Sequence, residues 1–153
     1  MSKKLKETLK VDNHVVVEVI DKKTGEVVKR VESKNTTGQT GADHLIKYIR
    51  GYFTTLPDPW KIVYLFKPDR SKIKELVGTW GTEEDTGTVI QNTLTALDTS
   101  NDTYTVDWLG LQNTSGLPLL SSMLLWQDIP QTTKGADQNF RVRWTVRCSY
   151  TQP

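Results

Sequence analysis

The sequence predicts a mainly β protein: an antiparallel β-sandwich of jelly-roll-like order with one short α-helix near residues 41–50. Three observations carry that prediction. Segment 139–148 alternates without a break, with Phe140, Val142, Trp144, Val146 and Cys148 on one side and Arg141, Arg143, Thr145 and Arg147 on the other. That is the period-two pattern of a strand with one buried face. Segment 11–20 is a β-branched run holding Val15, Val16, Val17, Val19 and Ile20, residues that suit a pleated, packed surface. Finally, hydrophobic content is only 36% while Thr, Asn, Asp and Ser are abundant, a mix that suits short strands joined by polar turns. A helical bundle would be richer in Ala, Leu, Glu and Lys.

Taken in order, residues 1–10 are Lys-rich and aperiodic and predict a basic arm that is flexible or a strand that orders only against a partner. Residues 11–153 predict a single sandwich domain, a length within the usual range for one domain. The run at 11–20 leads through Asp21-Lys22-Lys23-Thr24-Gly25-Glu26 into Val27, Val28 and Val31, which reads as a β-hairpin over 11–34. Thr40 is placed to cap a helix, with Asp43 three residues on. Ala42, Leu45, Ile46 and Ile49 form one apolar stripe, and Gly51 is placed to end the helix. Its three turns suit a plug for one open end of the sandwich.

A short strand follows at 62–66. Segment 67–97 is interrupted by Gly78, Gly81 and Gly87 and made acidic by Glu83, Glu84 and Asp85. It predicts a long surface excursion, with 88–94 as its best strand. A turn at 98–102 opens a strand at 103–112, and Asn113-Thr114-Ser115-Gly116 is a second turn. Another strand is expected at 119–126. Segment 128–138, which holds Pro130 and Gly135, reads as a polar connection to the final strand.

Charge and cysteine content narrow the function classes. Twenty basic against eighteen acidic side chains leave +2, too balanced to imply a nucleic-acid or membrane partner by itself. Cys148 is the only cysteine, so no intramolecular disulfide can form. No apolar run approaches the roughly 18 residues that span a bilayer, and no apolar core follows Lys3, Lys4, Lys6 and Lys10 to make a secretory signal.

The sequence holds few residues arranged for chemistry. His14 and His44 have no Ser, Cys or carboxylate at a spacing that defines a triad, and Cys148 falls on the apolar face of its strand, where a small core residue is expected. Asp98, Ser100 and Asp102 imitate the start of a calcium loop. However, Thr103 stands where that loop needs Gly, and Leu109 where it needs a bidentate Glu. A calcium-stabilised turn is the alternative there to a plain polar one. No Cys/His cluster suits zinc, and the Gly-rich stretch 78–87 lacks the phosphate-loop patterns. Neither a cofactor nor a catalytic residue is therefore expected. The row Arg141, Arg143 and Arg147 has three readings: a solvated face that guards a strand edge, a subunit contact, or a phosphate-binding stripe. The last lacks aromatic residues on the same face.

One arrangement is distinctive. A hairpin with the turn Asp21-Lys22-Lys23-Thr24-Gly25-Glu26-Val27-Val28 leads into Lys34-Asn35-Thr36-Thr37-Gly38 and a helix, and the chain closes on Phe140-Arg141-Val142-Arg143-Trp144-Thr145-Val146. This resembles a group of small bacteriophage virion proteins of the tail-fibre, tail-tip or head-decoration type. The likeness covers the two ends of the chain and leaves the middle without a counterpart. Phe66-Lys67-Pro68-Asp69 stands where Gly-Thr-Gly is usual in the group.

The resemblance implies a non-enzymatic virion structural protein, made in the host cytoplasm and assembled as a homo-oligomer with other virion proteins, with no membrane partner. Lys3, Lys4, Lys6, Arg141, Arg143 and Arg147 are its candidate subunit contacts. The alternative is a carbohydrate- or receptor-binding sandwich at a fibre tip, with Trp60, Trp80 and Trp126 as candidate stacking residues.

Overall fold

The β-branched and alternating runs do pair into two antiparallel sheets. A computed structural model describes residues 8–36, 45–51, 58–116 and 123–151. Its strands are β1 (Thr8–Asp21), β2 (Val27–Thr36), β3 (Ile62–Phe66), β4 (Lys72–Val77), β5 (Thr79–Trp80), β6 (Glu84–Asp85), β7 (Val89–Asp98), β8 (Tyr104–Gln112), β9 (Leu125–Lys134) and β10 (Gln138–Thr151). The first sheet runs β2-β1-β10-β7-β5, with β6 also on β7, and the second runs β4-β3-β8-β9. Of the basic arm expected over 1–10, Thr8–Lys10 belong to β1, and residues 1–7 lie outside the described residues.

Alternation sets what each strand buries. Val15, Val17 and Val19 of β1, Leu94 and Ala96 of β7, and Phe140, Val142 and Trp144 of β10 face the second sheet. They meet Val63, Leu65, Val106, Leu109, Leu111, Leu125 and Ile129 from that side. A bulge in the β8–β9 register between Val106 and Trp108 switches which residues of β8 point inward. Val106 and Leu109 can therefore both be core residues. Trp108 turns to the outer face of the second sheet, where it joins a separate cluster with Ile62, Tyr64, Phe66 and Met123.

Both long edges of the sandwich are closed. On one, Gln127 Nε2 donates to Ser33 Oγ, Ser33 Oγ donates to the Asp128 carbonyl at 2.6 Å, and Lys29 Nζ reaches the Gln131 carbonyl at 3.1 Å. Side chains thus stitch β2 to β9. On the other, the chain itself crosses between sheets. β4 belongs to the second and β5 to the first, and only Gly78 stands between them. A Cβ on Gly78 would lie 2.7 Å from Leu94 Cγ and Cδ1, so the corner requires glycine.

Three expectations are corrected. Segment 67–97 holds more strand than the surface excursion expected of it: beside β7, which matches the strand expected at 88–94, it supplies β4 to β6, and its Gly78 marks a corner. Segment 128–138 is mostly strand, since β9 runs through Pro130 to Lys134. β9 is an edge strand, where a missing backbone N–H costs no ladder bond. The apolar helix stripe is not a plug. The described helical residues are 45–49, closed by Gly51 at φ 69°. Within them Leu45, Ile46 and Ile49 are 41%, 53% and 70% exposed. The capping residues Thr40 and Asp43, with Ala42, lie outside the described residues, as do residues 119–122 of the strand expected at 119–126.

Candidate functional site

Polar side chains gather first at the turn between β7 and β8. Asp98 Oδ1 accepts the Ser100 backbone N–H at 2.9 Å, while Oδ2 accepts the Tyr104 hydroxyl at 2.5 Å and Lys74 Nζ at 3.1 Å. Lys74 Nζ also donates to Asp102 Oδ2 at 2.8 Å and Ser100 Oγ at 3.1 Å. Lys134, with none of its surface exposed, donates to the carbonyls of Ser100, Asp102 and Gly135 at 2.8, 2.5 and 3.2 Å. From the other side Lys22 Nζ reaches the Thr99 and Ser100 carbonyls and Asn101 Oδ1.

The calcium reading of this turn is therefore replaced. The side-chain oxygens of Asp98, Ser100 and Asp102 all converge on the Lys74 ammonium group, which supplies the positive charge itself. Among the described residues no group of three or more His, Cys, Asp or Glu could hold a metal ion.

The electrostatics follow from this packing. Burial alone would raise the Asp98 pKa, but hydrogen bonds from Tyr104, Ser100 and Lys74 together outweigh it and hold the carboxyl well below the usual range. Burial, and then the bond to Asp98, push the Tyr104 hydroxyl far above its ordinary value. Burial lowers Lys134. For Lys74 the effect of burial is overcome by its bonds to Asp102 and Asp98, and the net shift is upward. These groups form a structural clamp.

The arginine row has a different surrounding. β10 lies in the middle of its sheet, between β1 and β7, so its arginines guard no edge. Arg141 and Arg143 instead cover Glu18 of β1, a residue only 5% exposed. Arg141 Nε and Nη2 donate to Glu18 Oε1 at 3.1 and 3.0 Å, and Arg143 Nε lies 3.5 Å from the same oxygen. Arg147 is exposed and has no carboxylate partner among the described residues. The row thus divides into two committed arginines and one available one. Lys3, Lys4 and Lys6 lie outside the described residues.

The three tryptophans also divide. Trp60 and Trp80 lie together, with Trp80 Nε1 donating to the Trp60 carbonyl at 3.1 Å. They line a groove of about 390 Å³ with Ile90, Val146 and Cys148, rimmed by Glu83 and Asn92. Trp126 is on the other sheet, with its ring 5.6 Å from that of Trp108. Arg70, at a left-handed φ of 69°, places its guanidinium 4.5 Å over the Trp108 ring. His14 Nε2 sits 3.0 Å from Glu32 Oε2, and His44 lies outside the described residues. Cys148 is half-buried in the tryptophan groove, and no histidine among the described residues lines that groove.

Sequence reasoning missed the most constrained polar residues. Lys22, Lys74, Lys134 and Glu18 sit in or beside strands at positions where charged residues ordinarily face water. Only the valines on either side of Glu18 hinted at its burial. Compared with known proteins, the chain matches no family model, no curated protein and no solved structure.

Proposed function

We propose that this chain is a non-enzymatic structural protein of a bacteriophage virion, assembling as an oligomer on the tail or capsid. The observation that carries the assembly part is the unequal length of the two sheets. β1 and β10 pair over fourteen residues each, from Thr8↔Thr151 to Asp21↔Gln138. Their inward face is buried from Val19 and Phe140 as far as Asn13 and Trp144. Beyond that point Val11, Val146 and Cys148 are only half-buried, and Ile90 on the neighbouring β7 is 40% exposed. Sheet surface of this kind gains from being covered by a partner. The virion assignment itself rests on the sequence resemblance.

Native mass measurement and sedimentation over a concentration series should show a defined oligomer. Ile90→Lys should return it to monomer while leaving the melting temperature within a few degrees. A strict monomer at high concentration that also binds no virion protein would sink this reading.

A second reading is favoured by the Trp60/Trp80 groove: a carbohydrate- or receptor-binding module at a fibre tip. Two indole rings with amide and carboxylate groups at the rim suit stacking on a sugar together with hydrogen bonding to its hydroxyls. Binding on a glycan array that is lost in Trp60→Ala or Trp80→Ala and kept in Trp126→Ala would support it. Silence on the array would count against it.

A further inference from the structure

The outer face of the longer sheet carries a recess of about 740 Å³ close to the half-buried end of β1 and β10. The pairing register explains how it is built. Lys34 on β2, His14 on β1 and Thr145 on β10 form one row across the sheet, and Asp12, Arg147 and Gln91 on β1, β10 and β7 form the next. Lys10, Asn13 and Glu32 complete the polar wall.

Charge is unevenly satisfied in this recess. Asp12 is already engaged by Lys10, at 3.7 Å. Glu32 is engaged twice, by His14 and by Arg30. Thr145 Oγ1 is shared with Thr93 Oγ1 at 2.7 Å, and Gln91 Nε2 donates to Glu84 at 2.7 Å. Lys34 and Arg147 alone among the charged groups of the wall have no opposite charge in ion-pair range among the described residues. Two such cations, on strands either side of β1 and opening into one partly enclosed space, repel each other, and the recess focuses their field. An anion placed between them removes that cost.

We infer that this recess binds a small polar ligand through an oxyanion, held between the Lys34 ammonium and the Arg147 guanidinium. The volume lies within the range of small-molecule sites, about 300–1,000 Å³. The guanidinium fork matches the oxygens of a carboxylate or phosphate, and the ammonium adds a point charge without fixing orientation. Among the described residues no Phe, Tyr or Trp lines the recess, so the body of the ligand meets polar groups and not a broad stacking platform. This site shares only Gln91 with the Trp60/Trp80 groove and does not depend on assembly.

The test is a titration of the full chain, followed by two-dimensional amide NMR, with inorganic phosphate, with glucuronate and with neutral glucose. Saturable shifts at the amides of Lys34, Thr145 and Arg147 are expected with either anion. The double variant Lys34→Gln/Arg147→Gln removes two exposed side chains, and an unchanged spectrum elsewhere establishes that it folds. It should bind at least about tenfold more weakly, the effect of losing charge-assisted contacts. The control Lys23→Gln/Lys61→Gln, which removes equal charge elsewhere, should bind as the parent does. Binding of only one of the two anions supports the site and fixes its chemistry as phosphate or carboxylate. Shifts that never saturate, equal losses in the control pair, or glucose binding as tightly as glucuronate would each overturn the inference.

Discussion

Lys134 illustrates what a single buried charge does here. Its ammonium group is surrounded by three carbonyl oxygens, and the ring of Tyr104 lies 5.5 Å away. Lys134→Met keeps most of the volume and leaves those carbonyls without their donor. It should lower stability by about 2 kcal/mol, read from the denaturation midpoint. The neighbouring groups set a pH window. Asp98 has a folded pKa below its unfolded value, so its contribution is complete above about pH 4 and is lost as pH falls below that. Tyr104 is shifted the other way and favours the fold only while protonated, so its contribution declines above about pH 10. A stability plateau between those limits is expected, and Asp98→Asn should flatten its acid side in urea titrations across pH. A profile unchanged by that substitution would place the acid sensitivity elsewhere.

At the level of elements, corners and edges decide which local rules apply. Gly78→Ala brings a methyl group against the buried Leu94 side chain at the point where the chain changes sheets. A loss of about 1–3 kcal/mol is expected by thermal or chemical denaturation. The strands that were legible in the sequence are those whose pattern is set by one buried face: the 11–34 hairpin, the 62–66 strand and the alternating 139–148 segment. Strands β4, β5 and β9 were not legible, because glycine and proline punctuate loops and also serve corners and edges. Which role applies depends on neighbours far away in sequence. The helix shows the opposite case, a correct local pattern whose apolar stripe found no place in a core already filled from both sheets.

Across the whole molecule, the outer face of the longer sheet is where charge and shape meet. Glu18 pairs with both Arg141 and Arg143 at its centre, and the recess with Lys34 and Arg147 lies toward one end. Glu18→Gln would leave two arginines over a buried neutral amide, so a drop in stability of about 3 kcal/mol is expected, with a clearer dependence on salt than in the parent. Little of this was legible beforehand. The arginines could be assigned to one face, but their partners are set by register between strands more than a hundred residues apart. Likewise, nothing in the spacing of Trp60, Trp80 and Trp126 separates the pair that shares a groove from the one that does not.

The side-by-side placement of β1 and β10 bears on how the protein is made. Among the described strands, β1 leaves the ribosome first and β10 last. The nascent β1–β2 hairpin therefore exposes an unpaired valine-rich edge until β10 emerges to take its place between β1 and β7. Non-local closure of this kind slows folding and prolongs exposure to aggregation. Yield in cells should accordingly respond to temperature and chaperone supply during synthesis, even in variants whose finished fold is as stable as the parent.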